Sequence, residues 1–216
     1  MPDSQPPVYY PVLMDLRGQA VVVVGGGEIA RRKVEGLQAA QARVTVVAPV
    51  CEGMPEPVIL REKAYDASDL EGQVLVFAAT DDVAVNAEIA RDAKRRGIWV
   101  NAVDDAKHCT FILPAVVRRG ALVLAISTAG ASPALARRIK EGLEAVYGKE
   151  YAELLQLLWT LRQEWNERIR QSGKGFEERR IIWESILDLP LLALIGAGEE
   201  QAALERSRSL LGAAFP

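Results

Sequence analysis

The sequence predicts an α/β fold in which a parallel sheet comes first and helices come last. Short apolar runs alternate with helix-type patterns between residues 20 and 101, and the first run, Ala20–Val24, stops at three consecutive glycines. From Glu150 onwards, apolar residues recur at helical spacing only. Because alternating strands and helices build doubly wound parallel sheets, we expect a Rossmann-like parallel sheet, then a small β/α region, and then an all-helical C-terminal domain.

The composition is that of a globular protein with nearly balanced charge. Half of the 216 residues are apolar, and 26 basic against 29 acidic residues give a net charge of -3. This balance does not indicate nucleic acid or a membrane surface as a partner, and no apolar run reaches the roughly 20 residues of a membrane span. The start of the chain is polar and proline-rich without a secretory signal, so we expect a cytoplasmic protein. Cys51 and Cys109 are far apart in the sequence and predict reduced thiols.

The first strand, turn and helix carry a dinucleotide fingerprint. Gly25, Gly27 and Ala30 fit the form G-x-G-x-x-G/A. Gly25 allows a sharp turn off the strand, Gly27 allows a pyrophosphate to approach the backbone, and Ala30 allows the helix to pack close to the sheet. The N–H groups and partial positive charge of the helix N-terminus favour an anion there. The alternative is a glycine turn that binds nothing.

The second strand, Arg43–Pro49, lacks the acid that usually binds the ribose of NAD. No acidic residue follows until Glu52, so we expect the backbone around Pro49 and Val50 to hold the adenosine end. The absence of an arginine at this strand end favours NAD over NADP.

The remaining sheet elements follow the same alternation. Polar residues at the carboxyl ends of the strands are the candidate ligand contacts, because parallel sheets bind ligands there. These residues are Thr80, Asp81, Asp82, Asn101, Asp104 and Asp105. The predicted elements are strands over Tyr9–Leu16, Val58–Glu62, Val74–Thr80 and Ile98–Asn101, and helices over Glu28–Ala40 and Val83–Arg96.

After Asp105 the pattern changes to short strands without helices between them. We expect three strands that extend the sheet or form an interface, and then a loop of small residues, Ser127–Pro133, before a helix that ends near Tyr147. Further helices are predicted from Glu150, broken at residues 172–175, and their apolar stripes indicate core and subunit packing. The three strands are Thr110–Leu113, Ala115–Arg118 and Leu122–Ser127, and the last two helices are Glu177–Leu187 and Glu199–Leu211.

Five motifs in register resemble one family, the precorrin-2 dehydrogenase part of siroheme synthases, which includes stand-alone bacterial forms. They are Val24–Lys33, Ala78–Asp82, Asn101–Asp105, Phe111–Pro114 and Ser127–Arg137. The resemblance extends from about Tyr10 to Tyr147. It implies NAD-dependent oxidation of precorrin-2 to sirohydrochlorin, and some members also insert ferrous iron to give siroheme. It also implies a homodimer, with a NAD-binding domain over residues 1–113, a dimerisation region over 114–148 and a helical domain over 149–216.

The resemblance places nucleotide contacts on Glu28, Ile29, Pro49 and Val50 and the catalytic aspartate on Asp104. A carboxylate beside the nicotinamide can accept the proton that precorrin-2 loses, or help to hold iron; the alternative for Asp104 is a turn cap. His108, the single histidine, either assists proton transfer, contacts iron or is an ordinary loop residue. The full expected cofactor set is Gly25, Gly26, Gly27, Glu28, Ile29, Pro49, Val50, Thr80, Asp81, Asn101 and Val103.

The loop before the third helix is the expected site for the substrate's carboxylates, because helix N–H groups bind anions. Thr128 stands where some family members have a second serine, which weakens any role specific to serine. Several arginines can pair with further carboxylates, although a solvated basic face is an equally good interpretation. These arginines are Arg118, Arg119, Arg137 and Arg138, and the expected substrate-binding set is Ser127, Thr128, Gly130, Ser132 and Arg137. No closed metal site is expected.

Three functional hypotheses remain open at this point. The first is the dehydrogenase, the second is a dehydrogenase that also acts as a ferrochelatase, and the third is a non-catalytic module that senses NAD. A sensor does not need the region of Asp104 or the loop of small residues. The chain ends at Pro216, so we do not expect the methyltransferase domain of the fused form.

Overall fold

The computed structural model describes residues 7–215. They form two compact units, one of residues 10–113 and one of residues 114–215 together with residues 7–9. Most of the polar, proline-rich start of the chain lies outside the described residues.

The first unit is a five-stranded parallel sheet with helices between its strands. Its elements are β1 (Ala20–Val24), α1 (Glu28–Ala39), β2 (Arg43–Ala48), β3 (Ile59–Glu62), a short 3₁₀ helix (Ala67–Leu70), β4 (Leu75–Ala78), α2 (Val83–Arg95) and β5 (Trp99–Ala102). The strands lie in the order β3-β2-β1-β4-β5. This is the order of a Rossmann half, in which the strand order reverses between β1 and β4. The predicted Rossmann-like sheet is therefore confirmed.

Alternate side chains of β1 enter the cores on the two faces of the sheet. Val21 and Val23 pack in the core that includes residues of α1, and Val22 and Val24 pack in the core that includes residues of α2. All four are at most 2% exposed. Burial of a valine side chain contributes about 1.5–3 kcal/mol, so this strand anchors both layers and fixes the position of the glycine turn that follows it.

The predicted strand over Tyr9–Leu16 is wrong, because the structure shows irregular backbone there. Pro11 lies inside the stretch and has no N–H to donate to a ladder. Val12 and Leu13 are exposed, so the apolar residues that suggested a strand are not buried. Leu16 alone joins the core.

The predicted strand over Thr110–Leu113 is also wrong. The Thr110 N–H donates to the Val100 carbonyl (2.8 Å), and the Thr110 hydroxyl accepts from the Val100 N–H (2.7 Å). The Thr110 hydroxyl therefore accepts the hydrogen bond that a backbone carbonyl would accept in a β-sheet. Phe111 then packs edge-on against Phe77, with 5.7 Å between ring centroids. The segment closes over the core and does not extend the sheet.

The second unit begins with two antiparallel strands, which form a sheet of their own, and continues in helices. Leu161, Ile186, Leu211 and Phe215 are among the buried residues of its helical core. The six-residue helix over Leu191–Gly196 was not predicted. None of the helices within residues 7–215 combines the length and apolar character that crossing a membrane requires. The elements are β6 (Ala115–Arg119), β7 (Leu122–Ile126), α3 (Pro133–Val146), α4 (Glu150–Gln171), α5 (Phe176–Leu187), α6 (Leu191–Gly196) and α7 (Glu200–Ala214).

Candidate functional site

The first two glycines of the turn are required by the protein's own packing. A Cβ on Gly25, which has a φ of 135°, would lie 2.2 Å from the Ala79 carbonyl oxygen. A Cβ on Gly26 would lie 2.0 Å from the Val50 carbonyl oxygen. Real Cβ atoms do not approach backbone oxygens so closely. The turn after β1 therefore fits between the segments that follow β2 and β4 only if Gly25 and Gly26 carry no side chain.

The third glycine, Gly27, faces open space. No described atom lies within 4 Å of a Cβ built there. Gly27 is the N-cap of α1, and no described side chain hydrogen-bonds the first N–H groups of this helix. Such N–H groups and the helix dipole form an anion site. A cavity of about 300 Å³ adjoins them and is lined by Gly26, Gly27, Glu28, Arg31, Glu52 and Gly53. These residues fit the pyrophosphate of a dinucleotide.

The charges at this helix start are paired. Glu28 accepts hydrogen bonds from Arg31 Nε and Arg32 Nε, each at 2.9 Å. These hydrogen bonds hold the pKa of Glu28 below its ordinary value. The two guanidinium groups therefore offset the charge of the Glu28 carboxylate at the N-terminus of α1.

The cavity lining contains a residue that the sequence analysis mentioned but did not select. Pro49 and Val50 are exposed at the end of β2, and Ile29 on α1 is half exposed. Glu52 lines the cavity with Gly53. The sequence could have identified Glu52, because it lies four residues after the end of β2 and ribose-binding acids lie near the end of this strand.

At the end of β4, Thr80 uses its hydroxyl within the turn. The hydroxyl donates to Asn86 Oδ1 (2.8 Å), and the Asn86 amide donates to the Thr80 carbonyl (3.0 Å). Asn86 is buried. Asp82 caps α2 by accepting from the Ala84 N–H (2.8 Å), and Asp81 is exposed. In this structure Thr80 shapes the turn, and Asp81 is the accessible side chain.

The end of β5 is held in a similar way. Asn101 Nδ2 donates to the Phe111 carbonyl (3.1 Å), and the Val103 N–H donates to the Ala78 carbonyl (2.9 Å). Val103 packs partly buried against the core. The side chains of Asn101 and Val103 therefore fix the backbone from which Asp104 projects.

Asp104 combines an exposed side chain with a left-handed backbone. Its φ is 57°, and its carboxylate has no hydrogen-bond or ion-pair partner within residues 7–215. This conformation is uncommon outside glycine, and aspartate tolerates it better than most residues. An unpaired carboxylate at the carboxyl end of β5 is free to accept a proton from a ligand.

The next acid, Asp105, is paired. Its carboxylate contacts His108 Nδ1 and accepts from the His108 N–H (3.3 Å). The hydrogen bond with His108 lowers the pKa of Asp105. The Cys109 thiol lies between the carbonyls of Ala102 and Asp105, and burial raises its pKa, so it is a structural thiol. Within the described part of the chain, no three histidine, cysteine or acidic side chains form a metal site.

The expected substrate residues lie in the second unit, and most of their hydroxyls act within the loop. Thr128 Oγ1 donates to the Ser132 carbonyl (3.1 Å) and accepts from the Ser132 N–H (3.1 Å). Ser132 caps α3 through the Leu135 N–H (3.2 Å), and Ser127 accepts from the Ala129 N–H (3.1 Å). The hydroxyls therefore shape a compact turn before α3.

The arginines of the second unit differ in their contacts. Arg119 Nε donates to the Tyr147 carbonyl (2.9 Å) and so caps the end of α3. Arg118, Arg137 and Arg138 are exposed and form no ion pair within residues 7–215. Gly130 is exposed with a φ of 85°. Arg137 and the backbone at Gly130 are therefore the accessible groups at the start of α3.

Family models match three successive parts of the chain. The family described as "Putative NAD(P)-binding" covers residues 12–115, "Sirohaem biosynthesis protein central" covers residues 119–145, and "Sirohaem synthase dimerisation region" covers residues 151–211. The first match contains the glycine turn and Asp104, and the third lies on helices α4 to α7. The sheet unit is therefore an NAD(P)-binding domain, and the helical region is a dimerisation region.

Individual relatives agree with these matches. Siroheme synthases of Pseudoalteromonas translucida and Methylococcus capsulatus are 36% and 41% identical over 95% and 89% of the chain. The chain spans less than half of their length, 44% and 41%. A solved structure described as "SirC, precorrin-2 dehydrogenase" is 30% identical with a TM-score of 0.70, and the match covers 93% of this chain and 100% of that one. The chain therefore belongs to the family of precorrin-2 dehydrogenases and siroheme synthase N-terminal regions.

Proposed function

We propose that this protein catalyses the NAD-dependent dehydrogenation of precorrin-2 to sirohydrochlorin. The observation that carries the proposal is the glycine turn, where Gly27 faces open space at an uncapped helix start. Membership of the precorrin-2 dehydrogenase family supports the choice of substrate. The exposed, unpaired carboxylate of Asp104 supports a catalytic role over a purely sensory one.

The cofactor site would be built from the backbone of the glycine turn. Gly25 and Gly26 hold the turn close to the sheet, and the N–H groups that follow Gly27 bind the pyrophosphate. NAD supplies the acceptor for the hydride that leaves the macrocycle. Glu52, as a cavity-lining acid, accepts from the ribose hydroxyls and disfavours a 2′-phosphate, which supports NAD over NADP.

The chain's own chemical step is the removal of a proton. Oxidation of precorrin-2 removes two hydrogens, one as a hydride and one as a proton, so the protein must provide a base. Asp104 is the proposed base because its carboxylate is exposed and unpaired at the carboxyl end of β5. The turn cap considered above is the weaker interpretation, since the carboxylate accepts no hydrogen bond from any described residue.

The substrate's carboxylates would bind at the start of α3. The backbone at Gly130 and the first N–H groups of α3 favour anions, and Arg137 adds an exposed cation. Ser127, Thr128 and Ser132 contribute by shaping the loop, since their hydroxyls form its internal hydrogen bonds.

The assembly we propose is a homodimer whose interface lies in residues 114–148 and includes the apolar stripe of α3. The supporting observation is an uncovered apolar stripe on α3. Leu135, Ile139 and Val146 are 50%, 40% and 65% exposed. The dimerisation match lies on residues 151–211, so the interface we propose includes the region before it. As part of this proposal, the NAD-binding domain comprises residues 1–113 and the helical domain comprises residues 149–216.

An anaerobic spectroscopic assay tests the proposal. We expect precorrin-2 to convert to sirohydrochlorin only when NAD is present, with one NADH formed for each molecule oxidised. A further, protein-dependent change to the siroheme spectrum after addition of ferrous iron would establish the ferrochelatase hypothesis in addition. NAD binding without any turnover would overturn the proposal in favour of the sensing module.

A further inference from the structure

We propose that Asp105 is a positioning residue that holds the ring of His108 with its proton on Nδ1 and with Nε2 free for proton transfer. The two residues form a pair in the turn that follows Asp104. One carboxylate oxygen of Asp105 contacts Nδ1 of His108, and the other accepts from the His108 backbone N–H at 3.3 Å. The carboxylate therefore fixes both the ring and the backbone of the same residue.

The pair is more than an ordinary turn contact. A turn of this kind needs only the oxygen that caps the backbone N–H, and the Asp105 carbonyl already accepts from the same N–H at 3.2 Å. The second carboxylate oxygen is left for the ring. The Asp105 side chain is 19% exposed and that of His108 is 41% exposed. The carboxylate is therefore mostly buried, and the His108 side chain is partly accessible to solvent.

The contact selects one tautomer of the ring. An ionised carboxylate accepts hydrogen bonds and cannot donate, so the Nδ1 that faces it carries the proton. In the neutral ring Nε2 then has a free lone pair, and this atom forms no hydrogen bond to any of residues 7–215. A carboxylate behind a histidine ring sets the tautomer and stabilises the imidazolium in this way in other enzymes.

The chemical role rests on the proposed function. Two-electron oxidation of precorrin-2 breaks one C–H bond, which delivers a hydride to the nicotinamide, and a second C–H or N–H bond of the macrocycle, which releases a proton. The electron pair of the second bond stays in the macrocycle as the new double bond. Asp104 accepts that proton. Nε2 of His108 carries it onward to solvent, and the Asp105 carboxylate stabilises the transient imidazolium. Asp105 touches neither substrate nor cofactor in this scheme and acts only through His108.

The tautomer can be read directly because His108 is the single histidine of the chain. In ¹⁵N NMR of the imidazole, recorded where the ring is neutral, we expect the Nδ1–H form in the native protein. In Asp105→Asn, the amide oxygen keeps the backbone N–H, and the NH₂ group faces Nδ1 and forces the proton to Nε2. The native Nε2–H form, or an unchanged tautomer in the variant, would overturn the proposal. This measurement needs no turnover, so its outcome is independent of the proposed function.

Kinetic coupling tests the role in the reaction. We expect Asp105→Asn to lower kcat about tenfold or more with the KM for NAD unchanged, and the same substitution to have no further effect in a His108→Gln background. Additive losses would show that Asp105 acts without His108, and an unchanged kcat would show that the pair is only structural. Asp15→Asn, which removes an ion-paired carboxylate elsewhere in the first unit, serves as the control and should leave kcat unchanged.

Discussion

Two amphipathic helices, α1 and α3, have the same kind of pattern and opposite surroundings. In α1, Val34 and Leu37 are buried in the core beside the sheet. In α3, Ala136 is the one buried residue of the helix, and the apolar Ile139 is 40% exposed. An apolar stripe therefore shows that a helix has a face to cover, but the stripe does not say what covers it. The first unit covers its stripe itself, whereas the stripe of α3 stays exposed.

Neighbouring glycines of the turn differ in the same way. Gly26 is enclosed by the protein's own backbone, whereas Gly27 borders open space. The packing requires glycine at position 26, whereas we propose that position 27 is glycine for the ligand, although the sequence G-G-G does not distinguish the two. Substitutions at these two positions should therefore separate stability from cofactor binding.

The largest expected effect is at Gly26. We expect Gly26→Ala to lower the free energy of unfolding by about 3 kcal/mol, because its Cβ would overlap the Val50 carbonyl oxygen and the backbone must move. Chemical denaturation would measure the loss. Gly27→Val should lower the unfolding free energy by no more than about 1 kcal/mol, because valine is a poorer N-cap than glycine, and should weaken NAD binding about tenfold or more in a titration. Equal stability of the two variants, or unchanged NAD affinity in Gly27→Val, would contradict the different roles that we assign to the two glycines.

An intermediate effect is expected on α3. Ile139→Glu places a charge in the uncovered apolar stripe, so we expect the dissociation constant of the proposed dimer to rise about tenfold or more. Sedimentation velocity would measure it. Ala145→Glu puts the same charge on an exposed position away from the stripe and should leave assembly unchanged. If both variants assemble like the native protein, the stripe is not part of the interface.

The smallest expected effect concerns the buried carboxylate of Asp69 in the first unit. Burial raises its pKa, but hydrogen bonds from Lys63 Nζ (2.7 Å), the Asp66 N–H (3.0 Å) and Arg61 (3.0 Å) outweigh this and lower the pKa below 3.8. A lowered pKa contributes stability above the unfolded value of 3.8, and the contribution is lost as pH falls below it.

We therefore expect Asp69→Asn to lose about 1–2 kcal/mol of unfolding free energy at pH 7. The difference from the native protein should shrink as pH falls below 3.8. Denaturant unfolding at a series of pH values would measure this dependence. A difference that stays constant down to the acid limit would contradict the ion-pair explanation.

The sequence predicted those parts of the fold that rest on local signals. Ala20–Val24, the glycine turn and α1 are encoded in adjacent residues, and the structure confirms them. The wrong strands at Tyr9–Leu16 and Thr110–Leu113 both contain β-type residues, but strand formation depends on a partner at the right distance, which the local pattern does not specify. The helix α6, Leu191–Gly196, is too short to show a helical period.

The candidate site was predictable in position more than in detail. Strand ends and the fingerprint place the cofactor residues at one edge of the sheet, because parallel strands share that edge. Which polar atoms remain free depends on contacts that the sequence does not show. Thr80 and Thr128 use their hydroxyls within turns, whereas Asp104 leaves its carboxylate unpaired. Glu52 became a candidate only when the cavity showed that it lines the site.

The most direct test of the central claim is a comparison of Asp104→Asn with the native protein, measuring both precorrin-2 oxidation and NAD affinity. The substitution removes the proposed base without changing the size of the side chain, so we expect turnover to fall about 100-fold or more and the Kd for NAD to stay within about twofold. Loss of turnover with intact NAD binding would support two claims: the backbone of the glycine turn binds NAD, and the free carboxylate of Asp104 accepts the proton. Native turnover in this variant would contradict the account.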